Sequence, residues 1–258
     1  MTPTASQWGP HLKGLDGVAG LNTVATGPVS DIRVRLREAV RDRSMMLVTG
    51  DPGCGKSFAV ARAVEQLDPA NVTPVWLEIA TTVRGKALAL DLFPQITGVN
   101  APPASLLRDL RTTIAEHLSE ERRVLVLDEA QLVTVEAMQM LRWLHDRADA
   151  EFALVIVGTR ALEKRLPPEV SSRVVSHVRL DRIADEDAPS LLADYHPLFA
   201  GADPTLVSQL NRVEARGEFR WWAKFLLRAH LYLPKLGGTL DADAADVICE
   251  QLRRGGRV

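Results

Sequence analysis

Gly50, Gly55, Lys56 and Ser57 stand in the order G-x-x-x-x-G-K-[ST], and each residue type has a use in that order. Glycines allow successive backbone N–H groups to turn into one concavity, which makes a cradle for phosphate oxygens. Lys56 would reach the outer phosphates of a nucleotide, and Ser57 would place its hydroxyl on Mg²⁺. Asp51, Pro52, Gly53 and Cys54 complete the turn and Phe58 follows it, so residues 50–58 form one candidate nucleotide-binding stretch. A helix beginning there would add the positive end of its dipole to the anion site. A second group lies at residues 128–131, Asp128-Glu129-Ala130-Gln131. There Asp128 can hold Mg²⁺, usually through water, and Glu129 can orient and polarise an attacking water. Phosphate loop and acidic pair together point to nucleotide hydrolysis.

Such chemistry needs both groups at the carboxyl ends of strands in one sheet. The apolar run Met45-Met46-Leu47-Val48 supplies a strand before the phosphate loop, with helix-forming residues over 58–66 after it. Val124-Leu125-Val126-Leu127 is a continuous apolar run, as a buried parallel strand requires, and leads directly into Asp128. Residues 74–79, 152–157 and 174–180 supply three more strands. Thr159, at the tip of the fourth, is either a sensor of the outer phosphate or part of an ordinary turn. Ile32, Leu36 and Val40 predict an amphipathic helix over 31–43, capped by Ser30 or Asp31. Further helices are expected over 85–93, from Ser105 with Leu106, Leu107, Leu110, Ile114 and Leu118 buried, and from a Thr134 cap to Ala148.

From Asp185 onward strand signals stop, and residues 186–195, 204–214, 218–232 and 241–253 read as helices. The organisation is therefore an arm over 1–30, an α/β nucleotide-binding domain over 31–183 and a helical domain over 184–258. Arg220, in the first turn of the third of these helices, could touch phosphates or be an exposed arginine. Trp221 and Trp222 point different ways on that helix, which argues against both sharing one core site. Arg173 is either a surface cation or an arginine offered to a neighbouring subunit's nucleotide. Residues 21–28 could lie beside the base or strap the domain, and the basic residues at 253–257 are a frayed end or a phosphate-backbone contact.

With 46% hydrophobic and 25% charged residues, the composition is that of an ordinary globular protein. A formal charge of -2 excludes a uniformly basic coat, so any nucleic-acid binding must come from a local patch and be sensitive to salt. Cys54 and Cys249 make no disulfide framework, the six histidines have no short metal-ligand spacing, and no apolar run is long enough to cross a bilayer. The expected location is cytoplasmic, with no membrane partner.

Gly50 to Ser57, Asp128-Glu129-Ala130-Gln131, Val157-Gly158-Thr159, Ser172-Arg173 and Gly217-Glu218-Phe219-Arg220 together resemble the AAA+ ATPases in order and spacing. The resemblance implies an α/β fold, in which a P-loop AAA+ domain with a five-stranded parallel sheet flanked by helices carries a small all-helical lid domain. It implies ATP and Mg²⁺ as cofactors, Thr159 as sensor 1, Arg173 as a trans-acting arginine finger and Arg220 as sensor 2. The Asp-Glu-Ala-Gln box, the Val-Gly-Thr strand tip and the compact size look like the transposition-helper group called MuB, TniB or TnsC. That group implies ATP-dependent rings or helical filaments on duplex DNA that recruit a transposase, with Arg84 and Lys86 facing the DNA. The chain departs from the group at Cys54, where Ser, Thr or Val is usual, and shows no extended N-terminal transposase- or DNA-binding domain. Two rival readings stand beside it: an AAA+ factor of replication initiation or helicase loading, and a nucleotide switch that binds protein and no DNA.

Overall fold

The computed structural model describes Val18, Gly20, Asn22, Val24 and residues 26–255. Most of the arm over 1–30, three of the residues in the stretch suggested to lie beside the base, and Gly256 and Arg257 of the basic tail lie outside the described residues. The chain divides into two compact units: one holds Ser30–Gly50 and Lys56–Arg179, and the other holds Asp51–Gly55 and the chain from Leu180, with the described residues before Ser30.

The first unit is built on strands β1 (Met45–Gly50), β2 (Thr73–Glu78), β3 (Arg123–Asp128), β4 (Phe152–Gly158) and β5 (Val174–Leu180). They form one sheet in the order β2-β3-β4-β1-β5, with the β2–β3, β3–β4 and β4–β1 pairs parallel. Burial explains the sequence pattern. All residues of β1, β3 and β4 are buried, whereas β2 and β5 at the edges alternate. Interior strands of a sheet covered on both faces must be apolar throughout, and edge strands need not be. The register sets Glu78 opposite Asp128 and Thr49 opposite Gly158, so the polar residues of these strands collect at their carboxyl ends.

Helices α1 (Gly27–Asp42), α2 (Lys56–Val64), α3 (Gly85–Thr97), α4 (Leu107–His117) and α5 (Val135–His145) accompany the sheet, with short α6 (Ala161–Arg165) and α7 (Pro168–Ser171) before β5. Leu88, Leu92, Ile114, Leu141 and Leu144 from α3, α4 and α5 join Leu125, Leu127, Leu154 and Ile156 of the sheet in one core. Two helix starts differ from expectation. α1 begins at Gly27 rather than at Asp31, because Thr26 Oγ1 accepts the Val29 N–H at 3.4 Å and Pro28 suits a first helical turn. α4 begins at Leu107, since the Ser105 hydroxyl is spent on Pro102 O at 2.6 Å, which leaves Leu106 61% exposed instead of buried. Thr134 caps α5 as expected, accepting from the Ala137 N–H.

The second unit is helical from α8 (Ala188–Tyr195) through α9 (Pro197–Ala200), α10 (Pro204–Leu210), α11 (Phe219–Tyr232) and α12 (Ala242–Gly255). Its core contains Leu192, Tyr195, Phe199, Phe225 and Ile248, with Val18 and Val24 packed into it. Trp222 is fully buried, and its indole N–H donates to Asn211 Oδ1 at 3.0 Å. The Asn211 amide donates to Ile183 O and Asp185 Oδ1, so a buried polar side chain is satisfied at both ends. Trp221 meets Trp222 edge to face at 5.0 Å and stacks on Phe225, but it is only partly buried, so the two indoles touch without both lying in the core. Their different directions on the helix place one inside the aromatic cluster and the other over its rim.

Candidate active site

Between β1 and α2 the chain turns with φ of 80° at Gly53 and 94° at Gly55. A Cβ at Gly55 would meet nothing within 4 Å, so that glycine serves the backbone conformation alone. Positive φ at alternate residues curls the backbone as an anion-binding nest requires. Lys56 and Ser57 are the first two residues of α2, and Phe58 follows, 37% exposed, with the Arg62 guanidinium 5.1 Å from its ring centre.

Asp128 ends β3 and is only 3% exposed. Burial raises its pKa, opposed by hydrogen bonds from the Ser57 hydroxyl and the Glu129 N–H, the latter at 2.8 Å. The carboxylate of Asp128 and the hydroxyl of Ser57 are thus within hydrogen-bond reach of each other. Such hard oxygen donors would suit Mg²⁺. Among the described residues no group of three or more His, Cys, Asp or Glu could hold a metal.

Glu129 adopts φ 54°, ψ 37°, a left-handed conformation uncommon for this residue type and a mark of functional sites. It turns the chain from β3 into a short 3₁₀ turn over Ala130–Leu132. The Gln131 amide nitrogen donates to Glu129 Oε2, and its oxygen accepts the Thr159 N–H at 3.2 Å. Thr159 lies one residue past β4, half-buried, and its carbonyl starts α6 by accepting the Leu162 N–H.

Other polar contacts at these strand ends carry no local signal in sequence. The Thr49 hydroxyl, buried one residue before Gly50, donates to Glu163 Oε1 at 2.6 Å and lies 2.8 Å from His177 Nε2. A carboxylate can only accept, so the single Thr49 proton points to Glu163, and His177 is the Nε2-protonated tautomer that donates to Thr49. Arg179 closes the group on Glu163 at 2.6 and 3.0 Å. In the second unit Arg182 pairs with Asp51 at 3.2 Å and with Glu218 at 3.4 Å, and the Arg220 N–H donates to Gly53 O at 3.0 Å. Arg220 is exposed in the first turn of α11, so loop residues 51–55 and the start of that helix are joined within one unit.

Arg173 makes a two-pronged pair with Asp146, 3.1 Å on each prong, and is 40% exposed. Arg84 occupies the N-cap position of α3 and Lys86 its first turn, both exposed. The preceding Val83 bridges to Val133, which ties that segment to the turn after Glu129. A Cβ on Gly85 would lie 3.1 Å from Glu136 Oε1, so that carboxylate packs against the residue that separates the two cations in sequence.

A family model described as AAA domain matches residues 38–166. No curated protein matches the chain. Among solved structures, the Aeropyrum pernix ORC2 protein in ADPNP–ADP complexes superposes with a TM-score of 0.69 at 15% identity, covering 91% of this chain and 70% of that one. Cdc6p from Pyrobaculum aerophilum gives 0.67 at 18% identity, covering 81% of this chain, which spans 62% of the length of that protein. The Aeropyrum pernix ORC1 protein in complex with DNA gives 0.67 at 17% identity, over 90% of this chain and 67% of the other. These likenesses concern the fold.

Proposed function

The chain belongs to the AAA domain family, and from that premise we propose that it hydrolyses ATP and uses the nucleotide to assemble on duplex DNA. The observation that carries hydrolysis is the buried Asp128 carboxylate, which accepts from Ser57 at the foot of the phosphate loop and directly precedes Glu129. In this reading the backbone of residues 50–55 cradles the phosphates and Lys56 pairs with the outer ones. Ser57 and Asp128 would hold Mg²⁺, and the ion would neutralise charge on the phosphate oxygens. Glu129 orients the attacking water, Thr159 reads the outer phosphate, Arg220 contacts the phosphates from the same subunit and Arg173 reaches a neighbour's nucleotide. Phe58 and Cys54 border the nucleotide.

The resemblance to MuB, TniB and TnsC supports the finer reading, a regulator of transposition that marks target DNA and recruits a transposase. Arg84 and Lys86 then face the DNA in a ring or helical filament. The likeness in fold to Cdc6 and ORC proteins favours a second reading, a factor of replication initiation or helicase loading. Electron microscopy of the protein with duplex DNA tests both at their common point. ATP or a non-hydrolysable analogue is expected to produce ordered assemblies that weaken steeply as salt rises. Failure to bind DNA under any nucleotide state would leave the protein-only switch, and co-purification of a helicase instead of a transposase would select the replication reading.

A further inference from the structure

We propose that Gln131 is a positioning residue that couples the Glu129 carboxylate to the Thr159 strand tip, an inference that rests on the ATP-hydrolysis reading. Two residues apart in sequence, Glu129 and Gln131 would point the same way only along a strand. Here the left-handed conformation of Glu129 and the 3₁₀ turn that follows return the Gln131 side chain onto Glu129. The amide can be oriented in one way only. Glu129 Oε2 can accept but not donate, and the Thr159 N–H can donate but not accept, so nitrogen faces the carboxylate and oxygen faces the backbone. One side chain thereby ties the water-orienting group of β3 to the residue placed to sense the outer phosphate at the end of β4.

Gly158 supplies an independent indication. Its φ is not in the left-handed region, so no conformational need requires glycine there. A Cβ at this position would lie 2.8 Å from Gln131 Oε1 and 2.7 Å from Leu162 Cδ2. A side chain there would press on the Gln131 amide and the Leu162 side chain together, so glycine leaves the Gln131 amide room beside the Thr159 N–H. Arg165 donates to Gln131 O at 3.4 Å and steadies the turn from the other side.

The test compares wild type, Glu129→Gln, Gln131→Met and Gln131→Glu for steady-state ATPase, with and without duplex DNA, binding of a fluorescent ATP analogue, and amide exchange at Thr159. Gln131→Met keeps the size and removes both hydrogen bonds, whereas Gln131→Glu keeps the acceptor for Thr159 and sets a like charge against Glu129. Expected is a fall in kcat of about tenfold for Gln131→Met and more for Gln131→Glu, with KM and nucleotide affinity within about twofold of wild type. Thr159 exchange should quicken in Gln131→Met and stay protected in Gln131→Glu. If Gln131→Glu keeps the wild-type kcat, Gln131 merely holds the Thr159 backbone and the proposal is overturned. Unchanged or raised kcat in Gln131→Met, or a rise in KM that matches the loss, overturns it equally. A wild-type chain that hydrolyses no ATP sinks the hydrolysis reading and the proposal with it. An active wild type, a dead Glu129→Gln and an unaffected Gln131→Met remove the proposal alone.

Discussion

Lys56 and Glu129 separate binding from chemistry. The lysine would pair with phosphate in the ground state and the transition state alike, so Lys56→Ala is expected to abolish nucleotide binding. Glu129 would act on the attacking water, so Glu129→Gln should bind ATP normally while kcat falls by about a hundredfold or more. Isothermal calorimetry and phosphate release measured on the same preparations check both outcomes, and a Glu129→Gln variant that turns over at the wild-type rate would remove the water-orienting role. Asp128 and Glu129, though adjacent, stand in different surroundings. Asp128 is buried, with its pKa raised by loss of water, and it accepts from Ser57, whereas Glu129 is half-buried and bent out of the strand. Burial would suit a group that holds a metal ion, and partial exposure one that must meet water.

The union of β1, β5 and α6 through Thr49, His177, Arg179 and Glu163 bears on how firmly the strand before the phosphate loop is held. The Arg179 hydrogen bond lowers the Glu163 pKa, helped by the Thr49 hydroxyl. His177 has its pKa lowered by burial and is neutral at pH 7. A carboxylate whose folded pKa lies below its ordinary value stabilises the fold above that value, and the contribution is lost as pH falls through the lower, folded one. Glu163→Gln should therefore destabilise the chain by about 1 kcal/mol near neutrality, given the exposure of Arg179. The gap in melting temperature between variant and wild type should close as pH falls below the ordinary glutamate value of 4.5. Calorimetry across pH 3 to 8 reads this directly. A gap that persists in acid would mean that packing rather than charge joins these elements. The strands themselves were legible because continuous apolar runs and alternating ones distinguish interior from edge positions. The four-residue polar group was not, because its members come from three elements far apart in the chain.

Assembly is where Arg173 would act. Its pair with Asp146 is substantially exposed, and such pairs are worth about 0 to 1 kcal/mol, so releasing the arginine toward a neighbour's phosphate costs little. Arg173→Ala should retain nucleotide binding and lose hydrolysis. Mixed in equal amounts with Glu129→Gln, it should recover activity toward about a quarter of wild type, because head-to-tail interfaces then pair an intact Glu129 with an intact Arg173 in that share of contacts. No recovery on mixing would place the role of Arg173 within its own subunit. With a net charge of -2, any DNA binding would have to come from a local patch, and charge at Arg84 and Lys86 would then govern it more than the molecule's total does. Among the described residues no helix is long and apolar enough to cross a membrane.

The sequence by itself determined the phosphate loop, the acidic pair and the order of strands and helices, because each depends on residues within a few positions of one another. Glycine spacing, apolar runs and a capping threonine act locally, so their meaning survives in one dimension. The tertiary structure alone decided the partners of those residues: Gln131 between Glu129 and Thr159, Glu163 on Thr49, Asp146 on Arg173, and Arg182 and Glu218 beside the loop. The space left at Gly158 belongs with them. Side chains distant in sequence meet only where the sheet register and helix packing bring them, and a buried hydrogen-bonding group takes whichever partner that packing provides.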